Sequence, residues 1–246
     1  MASGKYVMYL DSDDLTGERF FAEKIAFLEK NDQYHACYGE YEFFSADDAF
    51  SEKDIIFRYK YPMLSGEHSA RQHLANFLSG NFIPPHAIVW RKSFLEKIKG
   101  HDETLTINQD VELFIRAIFN GLRIMAITDG TKAYVRQHEI DKRVGNPRHG
   151  SNKWKQILDL RKQIFKDLKV YDLDQAEFHQ AMSSYLFNYW RLLRHSDPEL
   201  AKDFLDFAKS IHWPVQIKGS MPFRFLSAVL GPVNAVEVKY FLLKRD

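Results

Sequence analysis

The 246-residue sequence is poor in three things, and each scarcity narrows the possibilities. With one cysteine, Cys37, no disulfide can close within the chain, so a fold stapled by crosslinks is excluded. Such cysteine usage suits a reducing compartment, and the chain is expected to be cytoplasmic. Net charge is nearly absent: 34 basic residues against 33 acidic leave a formal +1, which excludes bulk electrostatic attraction to nucleic acid. Long apolar runs are missing too. Nothing approaches the roughly 20 residues of a spanning helix, and Met1–Gly4 lacks the basic start and apolar core of a signal peptide.

What is present is a hydrophobic content of 45%, enough for a sizeable core. The most informative stretch comes first. Tyr6–Leu10 is five apolar or aromatic residues in a row and reads as a strand buried on both faces, as in a parallel sheet. Three carboxylates, Asp11, Asp13 and Asp14, follow within four positions. A buried strand ending in acids delivers them to the carboxyl edge of a sheet, where open α/β folds bind ligands. Oxygen donors at that spacing suit a hard divalent cation held between protein and phosphate. The same residues also read as a solvated turn in which Asp14 or Thr16 caps the next helix.

Periodicity then predicts helices over 16–31, 68–78, 92–98 and 109–120, with extended segments at 35–44, 55–57, 87–90, 122–128 and 132–137. The helix over 109–120 presents an apolar stripe of Val111, Phe114, Ile115 and Ile118, with Asn108 placed to cap its start and Gly121 its end. Gly80–Pro85 reads as a loop. The stretch 143–152 is rich in Gly, Pro and Arg, and beyond it the pattern is helical over 154–168, 173–193 and 198–212. Trp154, Tyr185, Tyr189 and Trp190 fall at helical spacing and read as core. The tail from Pro222 mixes aromatics with Arg224, Lys239, Lys244 and Arg245, as interfacial helices and ordinary docking helices both do. Two regions result, 1–142 and 143–246.

Three titratable sites stand out: the Asp11–Asp13–Asp14 cluster, Asp110 in the first turn of a helix, and His138 after Arg136 at a strand end. Alone, Asp110 has the ordinary role of a carboxylate stabilised by a helix dipole, and His138 that of a surface histidine. Their order along the chain, with Ala2–Val7 running into Leu10–Asp14, Phe27–Asn31, Arg91–Phe94, Gly100–Glu103, Asn108–Leu113 with Arg116, and Asn120–Gly121, resembles the second half of a family 2 glycosyltransferase of the GT-A fold. The resemblance covers residues 2 to 140.

It implies an incomplete GT-A domain, an α/β Rossmann-like mixed sheet with flanking helices, followed by a helical C-terminal region. It implies a DxD site in which Asp11 and Asp13, with His138, hold Mg²⁺ or Mn²⁺ against the diphosphate of a nucleotide-sugar, Arg136 and Arg143 pairing with phosphate oxygens. Asp110 matches the general base of inverting members, taking the proton of an acceptor hydroxyl. The acceptor would be a glycan or lipid-linked, in surface polysaccharide or glycoconjugate synthesis, at the inner face of the membrane. Two departures stand out: Gln109 where the family is usually acidic, and His101 where an aromatic is commoner. The chain also opens at the strand before the acids, so the nucleoside-binding strand and helix of the family are expected to be absent and donor binding by these residues alone to be poor.

Two other readings compete. Phosphohydrolases of the haloacid dehalogenase type also place Asp-x-Asp after an apolar strand, but Leu15 stands where they usually carry Thr or Val, and no later Gly-Asp pair completes their metal site. A non-catalytic module docking on a partner or membrane through residues 222–246 is the other.

Overall fold

The computed structural model describes residues 2–45, 55–57, 66–137, 151–215 and 220–243. They form two compact units, Met1–Phe77 with Asn81–Arg148, and Leu78–Gly80 with His149–Asp246.

The first unit holds two mixed sheets and the helices that cover them. Its strands are β1 (Tyr6–Val7), β2 (Leu15–Thr16), β3 (Ala36–Gly39), β4 (Tyr41–Phe44), β5 (Ile55–Phe57), β6 (Gly66–Glu67), β7 (Ile88–Arg91), β8 (Ile124–Ile127) and β9 (Ala133–Arg136). One sheet runs β1-β7-β3-β8-β6 and the other β2-β9-β4-β5. Among the described residues, β3 with β8 and β4 with β9 pair in parallel, and the other pairings are antiparallel. The segment expected as one strand over 35–44 is therefore two strands in two sheets, divided at Glu40, whose carbonyl accepts from the Ala133 N–H at 3.0 Å.

The opening strand differs from its expectation. The five-residue apolar run gives only the two-residue β1, half-buried and antiparallel to β7 at the edge of its sheet, and Leu10 is 52% exposed. An edge strand has a ladder partner on one side only, so an aromatic run does not require burial on both faces. Met8 still packs against Leu28, Tyr34, Cys37 and Val89, anchoring the approach to the acids.

Helix α1 (Phe20–Lys30) buries Phe20, Lys24 and Leu28, one face at successive fourth positions. The Lys24 stem fills that face while its Nζ lies 4.5 Å from the Phe20 ring centre, and burial pulls its pKa down. Helices α2 (Ala70–Leu78), α3 (Lys92–Lys97) and α4 (Gln109–Phe119) complete the unit. The predicted stripe of α4 is buried at all four positions, and Phe114 stacks on Phe77 with ring centres 4.1 Å apart. Gly121, at φ +79°, ends α4 in a Schellman turn: its N–H bonds the Ile118 carbonyl, and the Leu122 N–H that of Ala117, both at 3.0 Å.

The second unit is built from α5 (Ser151–Val170), α6 (Ala176–Leu193), α7 (Pro198–Ile211), α8 (Met221–Leu230) and α9 (Pro232–Leu243). Trp154 and Trp190 are core, and Tyr189 stacks on Phe204 with ring centres 5.2 Å apart. None of the described helices is long and apolar enough to cross a membrane.

His73 of α2 is 1% exposed, packs edge-on against Tyr38 and Phe114, and finds no hydrogen-bond partner for either ring nitrogen. Burial lowers its pKa to about 4 from an ordinary 6.5. The unfolded chain thus accepts a proton near pH 6.5 that the folded chain refuses until about pH 4, so stability falls as pH falls through that window. The loss is on the order of 3 kcal/mol. Urea unfolding at neutral and acid pH should show this slope, and His73→Phe should flatten it. An unchanged slope in the variant assigns the acid lability to other groups.

Candidate active site

The acids lie on the crossing from one sheet to the other. After β1 the chain turns at Asp11–Asp14, where the Asp14 N–H bonds the Asp11 carbonyl at 3.3 Å, and enters β2, which pairs with β9. Arg136, the last residue of β9, fixes this turn twice. Its backbone N–H donates to Asp14 Oδ1 at 2.8 Å and its Nε donates to the Asp13 carbonyl at 2.9 Å. The guanidinium lies 4.6 Å from the centre of the Phe44 ring. The residue expected beside phosphate oxygens is therefore adjacent to the acids, in contact with their backbone.

Asp14 faces inward. Its Oδ2 is 3.0 Å from Nδ1 of the fully buried His86, which sits in the 3₁₀ turn Pro85–Ala87 before β7. Neither ring nitrogen is aligned for a hydrogen bond, so the two groups meet as a close polar contact. Asp11 faces out, and its carboxyl is held above the usual range, first by partial burial, then by the negative charges of Asp14 and Asp13, with His86 opposing. Crowded carboxylates of this kind supply hard oxygen donors to a divalent cation. Among the described residues, however, no group of three or more His, Cys, Asp or Glu is arranged to hold a metal ion. His138 and Arg143, which the sequence reading also placed here, lie outside the described residues.

Asp110 opens α4 within electrostatic reach of this cluster. Its carboxylate accepts the backbone N–H groups of Val111 and of Asp110 itself. Burial raises its pKa, those two hydrogen bonds and His101 oppose, and the charge of Asp11 raises it further. The structure thus brings Asp11, Asp13, Asp14, Arg136 and Asp110 into one neighbourhood from three separate stretches of chain.

Asn108 is at the helix start as predicted but does not cap it with its side chain. It adopts a left-handed conformation at φ +59°, and its side-chain amide nitrogen is buried without a hydrogen-bond partner. The loop before the helix is held by Arg116, which pairs with both oxygens of Glu112 at 2.6 and 2.8 Å and donates to the carbonyls of Ile98 and Gly100. Asp102 braces the same loop, its Oδ1 accepting from Thr104 N at 2.9 Å.

Three further residues of the neighbourhood were given no role of their own by the sequence, His86, His101 and Tyr9, although the loops 80–88 and 100–108 that carry the two histidines were expected to line the acceptor side. His101 stacks edge-on against Tyr9 with ring centres 4.3 Å apart, so it takes the packing role of the aromatic ring that the resemblance expected there. His86 is 72 positions from Asp14 in sequence, and only the fold brings them together.

No family model and no curated protein matches the sequence. Solved structures do. The S. aureus TarS segment 1–349 in complex with UDP-GlcNAc matches at a TM-score of 0.60 and 15% identity, over 98% of this chain and 69% of that one. The same segment in complex with UDP matches at a TM-score of 0.56 and 15% identity, over 98% and 68%. Likeness at this identity shows the fold alone, the mixed α/β architecture with flanking helices that this chain shares with the TarS segment.

Arg116→Ala should lower stability by roughly 2–3 kcal/mol through loss of charged hydrogen bonds to Glu112 and two carbonyls, and should expose the 100–108 loop to protease. Equal stability and equal protease resistance in the variant remove Arg116 as the brace.

Proposed function

We propose that the protein transfers a sugar from a nucleotide-sugar to an acceptor hydroxyl with inversion at the anomeric carbon, in the manner of the family 2 glycosyltransferases that its motifs resemble. The observation that carries this reading is Asp110, a carboxylate closely surrounded at the head of α4 and sensing the charge of Asp11 on the acidic turn. The fold shared with TarS supports it, and the UDP-GlcNAc and UDP bound in those TarS structures make a uridine diphosphate sugar the donor class to test first.

Asp110 is the general base. As the acceptor oxygen attacks the anomeric carbon from the face opposite the leaving group, its proton passes to an Asp110 carboxylate oxygen. The bond from that carbon to the diphosphate oxygen breaks, and its electron pair leaves with the nucleoside diphosphate. A base is most effective when its pKa is raised toward working pH, and burial raises that of Asp110. The backbone N–H groups of Val111 and Asp110 hold the carboxylate in place for the transfer.

Asp11 and Asp13 are assigned to a divalent cation, Mg²⁺ or Mn²⁺. When bound, it offsets the negative charge that grows on the departing diphosphate. The residues present suit such an ion: Asp11 and Asp13 supply only oxygen donors, and burial, then the charges of Asp14 and Asp13, raise the Asp11 pKa, a repulsion that a dication relieves. Arg136 is assigned to diphosphate oxygens from its place against the Asp13 carbonyl, and His138 remains a proposed fourth member. Acceptors are glycans or lipid-linked glycans, with polysaccharide or glycoconjugate synthesis in the cytoplasm as the setting.

Asp110→Asn should lower transfer from UDP-GlcNAc about 10²–10⁴-fold while leaving donor affinity unchanged; near-normal turnover removes the base assignment. Because the base must be ionised and its pKa is raised, the acid limb of the rate profile should lie above the ordinary aspartate value of 3.8, and the rate should fall as pH drops through it. A chelator should abolish transfer, and Mg²⁺ or Mn²⁺ should restore it. Transfer that continues in excess chelator sinks the cation assignment.

A further inference from the structure

The second unit, taken by itself, has two features that the transfer reaction does not use. One is a cavity of about 930 Å³ whose wall includes Ser184, Asn188 and Arg191 of α6 and Arg224 and Ser227 of α8. Neither arginine has a carboxylate within ion-pair distance among the described residues; the Arg191 guanidinium donates to the Asn188 side-chain oxygen at 3.5 Å. The one acid on the wall, Glu177, is at the opposite end of α6, about 21 Å away along the helix. Burial, then the neighbouring Arg194, weigh against the Arg191 charge, so an anion placed beside it gains more than at an open surface.

The other feature is the outer face of α8. Met221, Phe225 and Val229 recur at every fourth position and are 83%, 72% and 64% exposed. Arg224 borders that face, and α8 contains no acidic residue. Lys239 of α9 lies 4.7 Å from the Phe223 ring centre, which brings the end of α9 back beside the start of α8. There Phe241 and Leu242 are each 59% exposed, and the sequence continues into Lys244 and Arg245. Contiguous exposed apolar residues bordered by cations are a binding surface rather than an ordinary exterior.

We infer that α8 and the end of α9 form a docking surface for an anionic phospholipid bilayer, with the apolar face in the acyl boundary and lipid phosphate at Arg224 and the cavity behind it. Charge selects this occupant. A second copy meeting the same face would set Arg224 and Lys239 against their own equivalents, whereas an anionic leaflet complements them. Length selects the mode: α8 has ten residues, about 15 Å, so it lies in the interface plane and does not span.

The test is co-flotation of the full chain with phosphatidylcholine vesicles, with and without phosphatidylglycerol. The chain should float with the mixed vesicles, more weakly as salt rises, and stay behind with pure phosphatidylcholine. Phe225→Ser with Val229→Ser should lower binding by more than about tenfold, and Arg224→Gln by about fivefold. These side chains are exposed, so thermal unfolding and transfer to a soluble acceptor should be unchanged. Equal binding to both vesicle types, no effect of the paired serines, or calorimetric binding of glycerol phosphate without vesicle binding overturns the inference. So does sedimentation showing a dimer that the paired serines dissociate.

Discussion

A carboxylate kept where burial disfavours its charge is the constraint on which the first unit depends. Asp110 stands at the head of a helix, where two backbone N–H groups and the dipole favour ionisation. Dipole stabilisation is typically about 0.3–1 kcal/mol, while desolvating a charge costs several. Burial wins, and the pKa rises. The Asp11 charge adds a smaller push the same way, so the acidic turn lies within electrostatic reach of the head of α4 although 99 positions separate the two residues.

Two arginines hold that site together, and both do so through backbone carbonyls. Arg136 takes the Asp13 carbonyl and Arg116 those of Ile98 and Gly100, while the second also forks onto Glu112. A planar guanidinium can address a carbonyl and another partner at once, which a lysine ammonium cannot do with the same fixed geometry. The acidic turn and the loop before α4 are thereby fixed by side chains from the same elements that carry the strand end and the helix.

Helix α4 was legible in the sequence almost entirely. Its apolar stripe, its start and the Gly121 turn appear where the residues put them, because amphipathic period and glycine chemistry are local. What was not legible is what depends on distant partners. Nothing in Tyr6–Leu10 reveals that its strand lies at a sheet edge, and the break at Glu40 follows from which strand each half meets. Asn108 has the chemistry of a capping residue, yet it sits in a left-handed conformation and its side chain makes no cap hydrogen bond. His86 meets Asp14 only because β2 runs past the turn before β7, a relation with no sequence period to betray it. The acids themselves stood out by clustering, which is a local property too.

The one-residue gap at Glu40 has a kinetic corollary. Residues 36–44 run alongside 124–136 as two successive parallel ladders, so the same two stretches of chain must meet before either sheet is complete. The tie between Asp14 and Arg136 closes a span of 122 residues, while α4 needs only neighbours within a turn or two. Closure of so long a span is entropically expensive, and contacts of that separation are slow to form. Contact separation alone therefore favours an order of assembly in which the helix that carries Asp110 forms before the acidic turn is fastened.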